Sequence, residues 1–488
     1  MRAGFSRSLA PTRRPAAAVI LALAWAAAAI LFGPLARCET LTLADCLRET
    51  AEHNPQIIQK RVALESAAGQ RLVFHARPLP TLLLGGLAGQ QGRQTTEDLQ
   101  VSEIGPNGKP TTVTQASARP SYLFLIGTEA LYQPIFDAAI PASWRRGNVE
   151  VAVARSNFLV TATAQLYAAR VQFYGAFYQQ ENGVLLREIS DSIGANVKGV
   201  TELLKAGLAG RQAQLQAQVQ QVNFQPQIVA NTGAFRSSLT TLLQTMGRPL
   251  GPGAAPEGSI SLAGPWEDGE LRFDPVAAAR ESRERRPDLQ AMRDLIRSYT
   301  EDANIIRGGY YPLVRIYVTG ELLPEDFIQG NRTNTVRPED NTQETEISPG
   351  VRYDWNVIDT GNISGGAHRQ DALRDALKIA LGQLEHHISG DLAAVRSRFD
   401  FASKERDLFA ANVGIASDTL HQIDSGVAQG TNSQLEFLDA QTSVLSTRVG
   451  LLGAQLQMSF AHAEFDRIIG GYLRFIEEGK PAAPGAPK

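Results

Sequence analysis

Two stretches of this chain read as uninterrupted helix for close to sixty residues, one of about 57 residues ending before Gly207 and one of about 60 between Gly366 and Gly426. At about 1.5 Å per residue each would reach roughly 85–90 Å, longer than any globular domain needs. Ala, Gln, Leu, Val and Arg dominate both, and Gly183, Gly194 and Gly199 are soft points in the first. Apolar-periodic helices of this length predict coiled coils.

The two stretches belong to halves that repeat one plan. Pro55 and Pro80 stand about 25 residues apart around a helical segment, as do Pro287 and Pro312, and each second proline opens an apolar, strand-like run. Further on, QPIFD ending at Asp137 corresponds to WNVID ending at Asp359, and Gly207 to Gly430. Each half reads helix, strand, loop, strand, long helix, turn, long helix. The predicted organisation is a first repeat over 39–247, a loop-rich linker over 248–275, a second repeat over 276–478 and a disordered tail over 479–488.

Four strands are predicted, near 79–90, 120–132, 312–322 and 346–358. In the last, Ile347, Val351, Tyr353 and Trp355 alternate with Ser348, Gly350, Arg352, Asp354 and Asn356, which gives one face suited to lipid and one to water. On that reading Val351, Tyr353 and Trp355 face lipid, with the two aromatics at a membrane interface, and Arg352, Asp354 and Asn356 face a lumen. A soluble sandwich strand would alternate in the same way. The polar segments 91–118 and 323–345 are predicted to be exposed loops. If the strands span a membrane, four cannot close a barrel, because hydrocarbon tolerates no unpaired strand edge. Two copies would give eight strands and a filled interior; three would give twelve and leave a lumen.

The N-terminal residues support export. Arg2, Arg7, Arg13 and Arg14 precede an uncharged run from Ala16 to Phe32, and Ala36 and Cys38 suit cleavage before Glu39, so 1–38 reads as a signal peptide. Lipidation of Cys38 and a retained anchor remain alternatives, the former disfavoured by Arg37. Cleavage would leave Cys46 alone and no internal disulfide. No later stretch approaches 18 uncharged apolar residues, which says nothing against barrel strands. A net charge of −3 and a pI near 6.2 give no electrostatic footprint for nucleic acid.

Signal, repeated plan and tip sequences together resemble the TolC family of outer membrane factors over nearly the whole exported chain. LTLADCLRETAEHNPQI and RPDLQAMRDLI are similar to the family's openings of its two halves. The resemblance implies an α+β membrane protein in which three chains share a twelve-stranded β-barrel continued by a helical barrel of coiled coils. It implies a passive efflux or type I secretion duct in the outer membrane, working as a homotrimer with a periplasmic adaptor and an inner-membrane pump of RND, ABC or MFS type, without cofactor and without enzymatic activity.

GTNSQLEFLDAQ, from Gly430 to Gln441, resembles the family's turn into the last inner helix, where acidic residues line the periplasmic entrance. Glu436 and Asp439 match them by position, and three chains would stack them into two carboxylate rings that draw cations and raise one another's pKa. GLAGRQAQLQAQ at 207–218 is similar to the family's first turn, where the adaptor docks. Gly207, Leu208, Gly430 and Thr431 are the adaptor-contact candidates, although glycine ends helices whatever docks there. Where well-known members close the mouth with tyrosine, arginine and aspartate links, this chain has Val427, Asn432 and Ala213, so its closure needs another explanation.

Catalytic and metal chemistry find no support. Glu385, His386 and His387 sit together, but neighbouring histidines point to different faces of a helix. The glycine pairs at 85–86, 308–309 and 365–366 lack phosphate-loop spacing. The competing class is an exported structural coiled coil or adhesin, which would need neither a repeated plan nor a lumen.

Overall fold

The computed structural model describes residues 39–104, 106–108, 110–207, 210–251, 256–326, 343–429 and 431–478. The predicted signal 1–38 and tail 479–488 lie outside the described residues, as do Leu208 and Gly430.

After a short strand β1 (Glu39–Leu41) come α1 (Leu43–His53), α2 (Pro55–His75), β2 (Thr81–Ile104), β3 (Pro110–Phe136), α3 (Ile140–Lys205) and α4 (Arg211–Met246). A bridging segment with β4 (Ile260–Leu262) leads to α5 (Pro275–Arg285), α6 (Pro287–Arg307), β5 (Leu313–Asp326), β6 (Gln343–Asp354), α7 (Asn362–Ala428), α8 (Gln434–Ile469) and the short α9 (Leu473–Glu478). The order two helices, two strands, long helix, helix thus occurs twice. Pro55 and Pro287 each open the second helix of their pair, where a missing N–H costs nothing. Asp137 and Asp359, matched in sequence, both serve the start of a long helix: Asp137 accepts from Ala139 N–H at 2.9 Å and Asp359 from Ile363 N–H at 2.5 Å.

The two long helices run to 66 and 67 residues, somewhat longer than expected. Their partners make a layer of helices: α3 packs against α2, α4, α6 and α8, while α7 packs against α6 and α8. The order across the layer is therefore α4–α3–α8–α7 in one half and α2–α3–α6–α7 in the other, and α7 is an edge in both.

The core lies at the middle of this layer, where short elements cover it. Phe173, Tyr174 and Phe177 of α3 pack with Leu239, Leu242 and Met246 of α4, Cys46 of α1 and Leu262 of β4. Trp266 stacks on Tyr174 at 5.9 Å between ring centres. A second cluster joins Leu289, Ile388, Leu392 and Phe399 to Met458, Ala461 and Ile468. Each buried aliphatic side chain contributes about 1.5–3 kcal/mol. Gly247 ends α4 with φ of 81°, and an added Cβ would stand 2.2 Å from the His53 carbonyl oxygen, so glycine is required by conformation and by space.

Between the clusters lies a buried cation. Arg170 Nη1 donates to Asp466 at 2.6 Å and to the Tyr472 hydroxyl at 3.3 Å, and its Nε and Nη2 both reach Glu267. One side chain thereby ties α3 to the bridging segment, to α8 and to the turn before α9.

The strands form one antiparallel sheet in the order β2-β3-β5-β6. The structure corrects the predicted loop 91–118: β2 continues to Ile104 and β3 begins at Pro110, so most of that segment is a paired hairpin. Residues 91–98 have no apolar side chain at either alternating position, which erases the apolar periodicity, whereas backbone pairing needs none. Of the predicted loop 323–345, 323–326 and 343–345 are also strand, and 327–342 lie outside the described residues. At the other end, β6 stops at Asp354 and not at 358, leaving Trp355 and Asn356 beyond the strand. There the indole Nε1 of Trp355 donates to the Tyr310 carbonyl at 3.1 Å.

Replacing Arg170 with Met should destabilise the chain by about 3 kcal/mol, near the low end for stripping a buried ion pair of one partner, because Glu267 and Asp466 are partly exposed and can rehydrate. Thermal unfolding in detergent checks this, and a shift no larger than that of an exposed Arg48→Met control would contradict it.

Candidate functional site

Register fixes which sheet residues share a face. The pairs Thr81↔Tyr132↔Tyr317↔Gly350 and Arg315↔Arg352 put Thr81, Tyr132, Arg315, Tyr317, Arg352 and Asp354 on one side. Here Arg315 and Arg352 both donate to Asp354, at 2.5 and 3.0 Å, and the Tyr317 ring occupies the space over Gly350 that a side chain would need. The opposite side carries Leu82, Leu84, Leu131, Ile316, Ile347, Val351 and Tyr353, all exposed. Gln133 interrupts that side and donates to the Pro78 and Pro134 carbonyls. Val351 and Tyr353 therefore lie on the side of the sheet opposite Arg352 and Asp354. Among the described residues no helix packs across the sheet, and the outer edges of β2 and β6 have no partner strand.

At the far end of the helices are two turns. In the first, α3 gives way to Gly207 with φ of 76°, whose N–H donates to the Leu204 carbonyl at 3.1 Å, and α4 starts from Gly210 without a side-chain cap. In the second, the Gly426 carbonyl accepts from the Thr431 N–H at 2.8 Å, the Thr431 hydroxyl at 3.0 Å and the Asn432 N–H at 3.2 Å. Gly426 is pressed so closely by Asn432 that it has no room for a Cβ.

Glu436 has a local role that the sequence reading missed, although the Ser-x-x-Glu spacing signals it. Ser433 caps α8 by accepting from Glu436 N–H at 3.3 Å, and the Glu436 carboxylate accepts in return from Ser433 N–H at 2.9 Å and from the Asn432 amide at 3.0 Å. The Ser433 N–H, followed by the Asn432 amide, holds the Glu436 carboxyl below the ordinary carboxylate range. Within one chain this is opposite in sign to the upward shift expected of a carboxylate ring. Asp439 lies one turn further along α8, exposed like Glu436. Asn432 is engaged with Glu436, and Val427 and Ala213 are half-buried.

The inner helix α8 is fastened to α3 above this turn. Gln441 Nε2 donates to Ser192 Oγ at 2.8 Å and Arg448 Nη1 to Glu188 at 3.1 Å. Leu445 packs between them against Leu186, Ile193 and Phe224. These partners stand 249 and 260 residues apart, which no local pattern could reveal.

Among the described residues no group of His, Cys, Asp and Glu could hold a metal ion, and Glu385 is paired with Arg293 at 2.9 Å. No described helix is long and apolar enough to cross a membrane.

Residues 278–471 match the family model described as outer membrane efflux protein. This part of the chain is an outer membrane efflux protein domain. The whole chain also resembles solved structures. The outer membrane channel CmeC of Campylobacter jejuni has a TM-score of 0.69 at 13% identity, covering 90% of this chain and 89% of that one. The outer membrane protein VceC of Vibrio cholerae has 0.65 at 14%, covering 88% and 96%, and the MtrE outer membrane channel of Neisseria gonorrhoeae 0.65 at 14%, covering 88% of each. At these identities the likeness is one of fold: the efflux protein domain and the half before it together have the fold of TolC-type channels. No curated protein sequence matches the chain.

The capping box makes a pH prediction. A carboxyl whose folded pKa is depressed adds stability that is present above its unfolded value and is lost as pH falls through the folded value. The protection of the Ser433 amide, measured against its intrinsic exchange rate at each pH, should therefore fall as pH drops below the ordinary value of 4.5, while a Ser433→Ala variant, costing about 1 kcal/mol of helix start, should already be less protected at pH 7.

Proposed function

We propose that the chain is one subunit of a homotrimeric outer-membrane duct, delivering to the exterior what an inner-membrane pump passes through a periplasmic adaptor. The observation that carries this reading is the open-edged, two-faced sheet joined to a helical layer whose edges are also unfinished. Backbone groups on the β2 and β6 edges need partners in hydrocarbon, and two further copies supply them in a twelve-stranded barrel. Val351 and Tyr353 then face lipid, with Trp355 at the boundary. Arg352 and Asp354 line the lumen, with Asn356 below them.

The helices support the same closure. Edge helix α7 exposes Phe401, Leu408 and Ile415 at intervals of seven, and edge helix α4 exposes Leu215, Val219, Val222 and Val229 at coiled-coil spacing. Counted from the turns, Ile415 is about 13 residues and Val222 about 11 from its helix end, and Leu408 and Val229 are about 20 and 18. The two stripes thus meet at matching heights when α7 of one copy lies antiparallel to α4 of the next. The repeated element order is read as an internal duplication that supplies six strand pairs from three chains.

In this duct the α7–α8 turn is the periplasmic mouth. Glu436 and Asp439 ring it, and Gly207, Leu208, Gly430 and Thr431 receive the adaptor. Closure rests on the Gln441–Ser192 and Arg448–Glu188 ties, which stand in for links that Val427, Asn432 and Ala213 cannot make.

Planar-bilayer recording tests the reading. Gln441→Ala with Arg448→Ala should raise conductance several-fold by freeing α8, and a closed double variant would refute these ties as the latch. Glu436→Gln with Asp439→Asn should weaken block by divalent cations, since Gln keeps the capping geometry while removing the charge; unchanged block would remove the acidic ring. Photo-crosslinking from Thr431 in cells should capture an adaptor. Normal expression with no transport phenotype on deletion and no conductance would favour the structural coiled coil.

A further inference from the structure

The layer's second unfinished surface lies at its middle, beside the edge helix. Helix α5 lies along α7 and leaves a trough of about 970 Å³ between them. Val276 and Phe401, both largely exposed, form its apolar lips, and Leu392 its floor. Four cations, Arg280, Arg283, Arg396 and Lys404, line it against one carboxylate, Asp400. Asp400 is engaged by Arg396 at 3.3 Å and Arg280 is 3.9 Å from Glu284, while the side chains of Arg283 and Lys404 have no partner among the described residues. The lining residues of α7 recur every three or four positions from Ser389 to Lys404, so the trough is a slot for a third helix.

Neither terminal segment outside the described residues suits it. The N-terminal 38 residues and the C-terminal ten carry lysine and arginine, which four cations would repel. The next copy in a ring offers the right charge. Helix α5 is flanked by α9, which packs on α1, and α1 packs on α3 and α4. The belt across the layer therefore runs α1, α9, α5, and when α7 meets the next copy's α4, the trough beside α5 meets the next copy's α1. That corner carries Glu39, Asp45, Glu49 and Glu52 against Arg48, Arg248 and Arg61, whose Nη2 donates to the Ala51 carbonyl at 3.4 Å. Arg248 is already held by Glu39 and Glu49, and Arg48 by Asp45. Glu52 is exposed and without a partner among the described residues.

We propose that the trough between α5 and α7 is the receptor for helix α1 of the neighbouring copy, with Glu52 and its acidic neighbours answering Arg283 and Lys404. The contact rests on the three-copy reading and adds to it a charged clasp at mid-height, which adjoins the apolar α4–α7 seam at Phe401.

A bismaleimide applied to the full-length protein in membranes separates the two ideas. Arg283→Cys with Glu52→Cys should give cross-linked dimers and trimers on denaturing gels, as should Val222→Cys with Ile415→Cys across the seam; each single variant is the control, and Cys46, wholly buried with its thiol pushed up to about 12 by that burial, stays silent. A seam ladder without the 283–52 ladder would overturn the clasp and leave the trimer standing. Loss of both would overturn both. Arg283→Glu should lower the temperature at which the trimer dissociates, and adding Glu52→Arg should restore it; no recovery alongside an intact seam ladder also counts against the clasp.

Discussion

A backbone N–H or C=O that meets hydrocarbon must find a partner within the protein, and the four-stranded sheet leaves two whole rows of them unmet. Everything else about the chain is consistent with that debt. Among the described residues no helix packs across the sheet, and its apolar side is left uncovered by them. Its other side holds a charged knot of Arg315, Arg352 and Asp354, which belongs in water. A monomer with this sheet would be an aggregation hazard, and the proposed ring of copies would remove the hazard by removing the edges.

The helical layer inherits the same incompleteness. Long helices give each chain reach, yet one layer has only one side to cover, and the short elements α1, β1, β4, α5 and α9 cover it only around the middle. The buried clusters and the Arg170 hub are concentrated there. Toward the turns the packing is carried by a smaller cluster, Leu186, Ile193 and Phe224 with Leu445, and by the two polar ties from α8 to α3.

Where the sequence reading went astray, the cause is physical. Apolar alternation marks only the part of a hairpin that has two different environments, so β2 and β3 outran their predicted limits. Glu436 was read for its charge while its hydrogen bonds were overlooked, although the capping spacing from Ser433 was present. Glu385, beside His386 and His387, is paired with Arg293 across to α6, a contact that the local sequence does not announce.

Periodicity and turn chemistry are local, and the sequence alone carried them: the two long helices, the paired prolines, the matched Asp137 and Asp359, the alternation that splits Val351 and Tyr353 from Arg352 and Asp354. Register, the order of helices across the layer, the Arg170 hub and the meeting of Gln441 with Ser192 arose only in the tertiary structure. The longest of those contacts join residues 249 to 302 positions apart, and their free energy depends on burial and geometry that no neighbouring residue encodes.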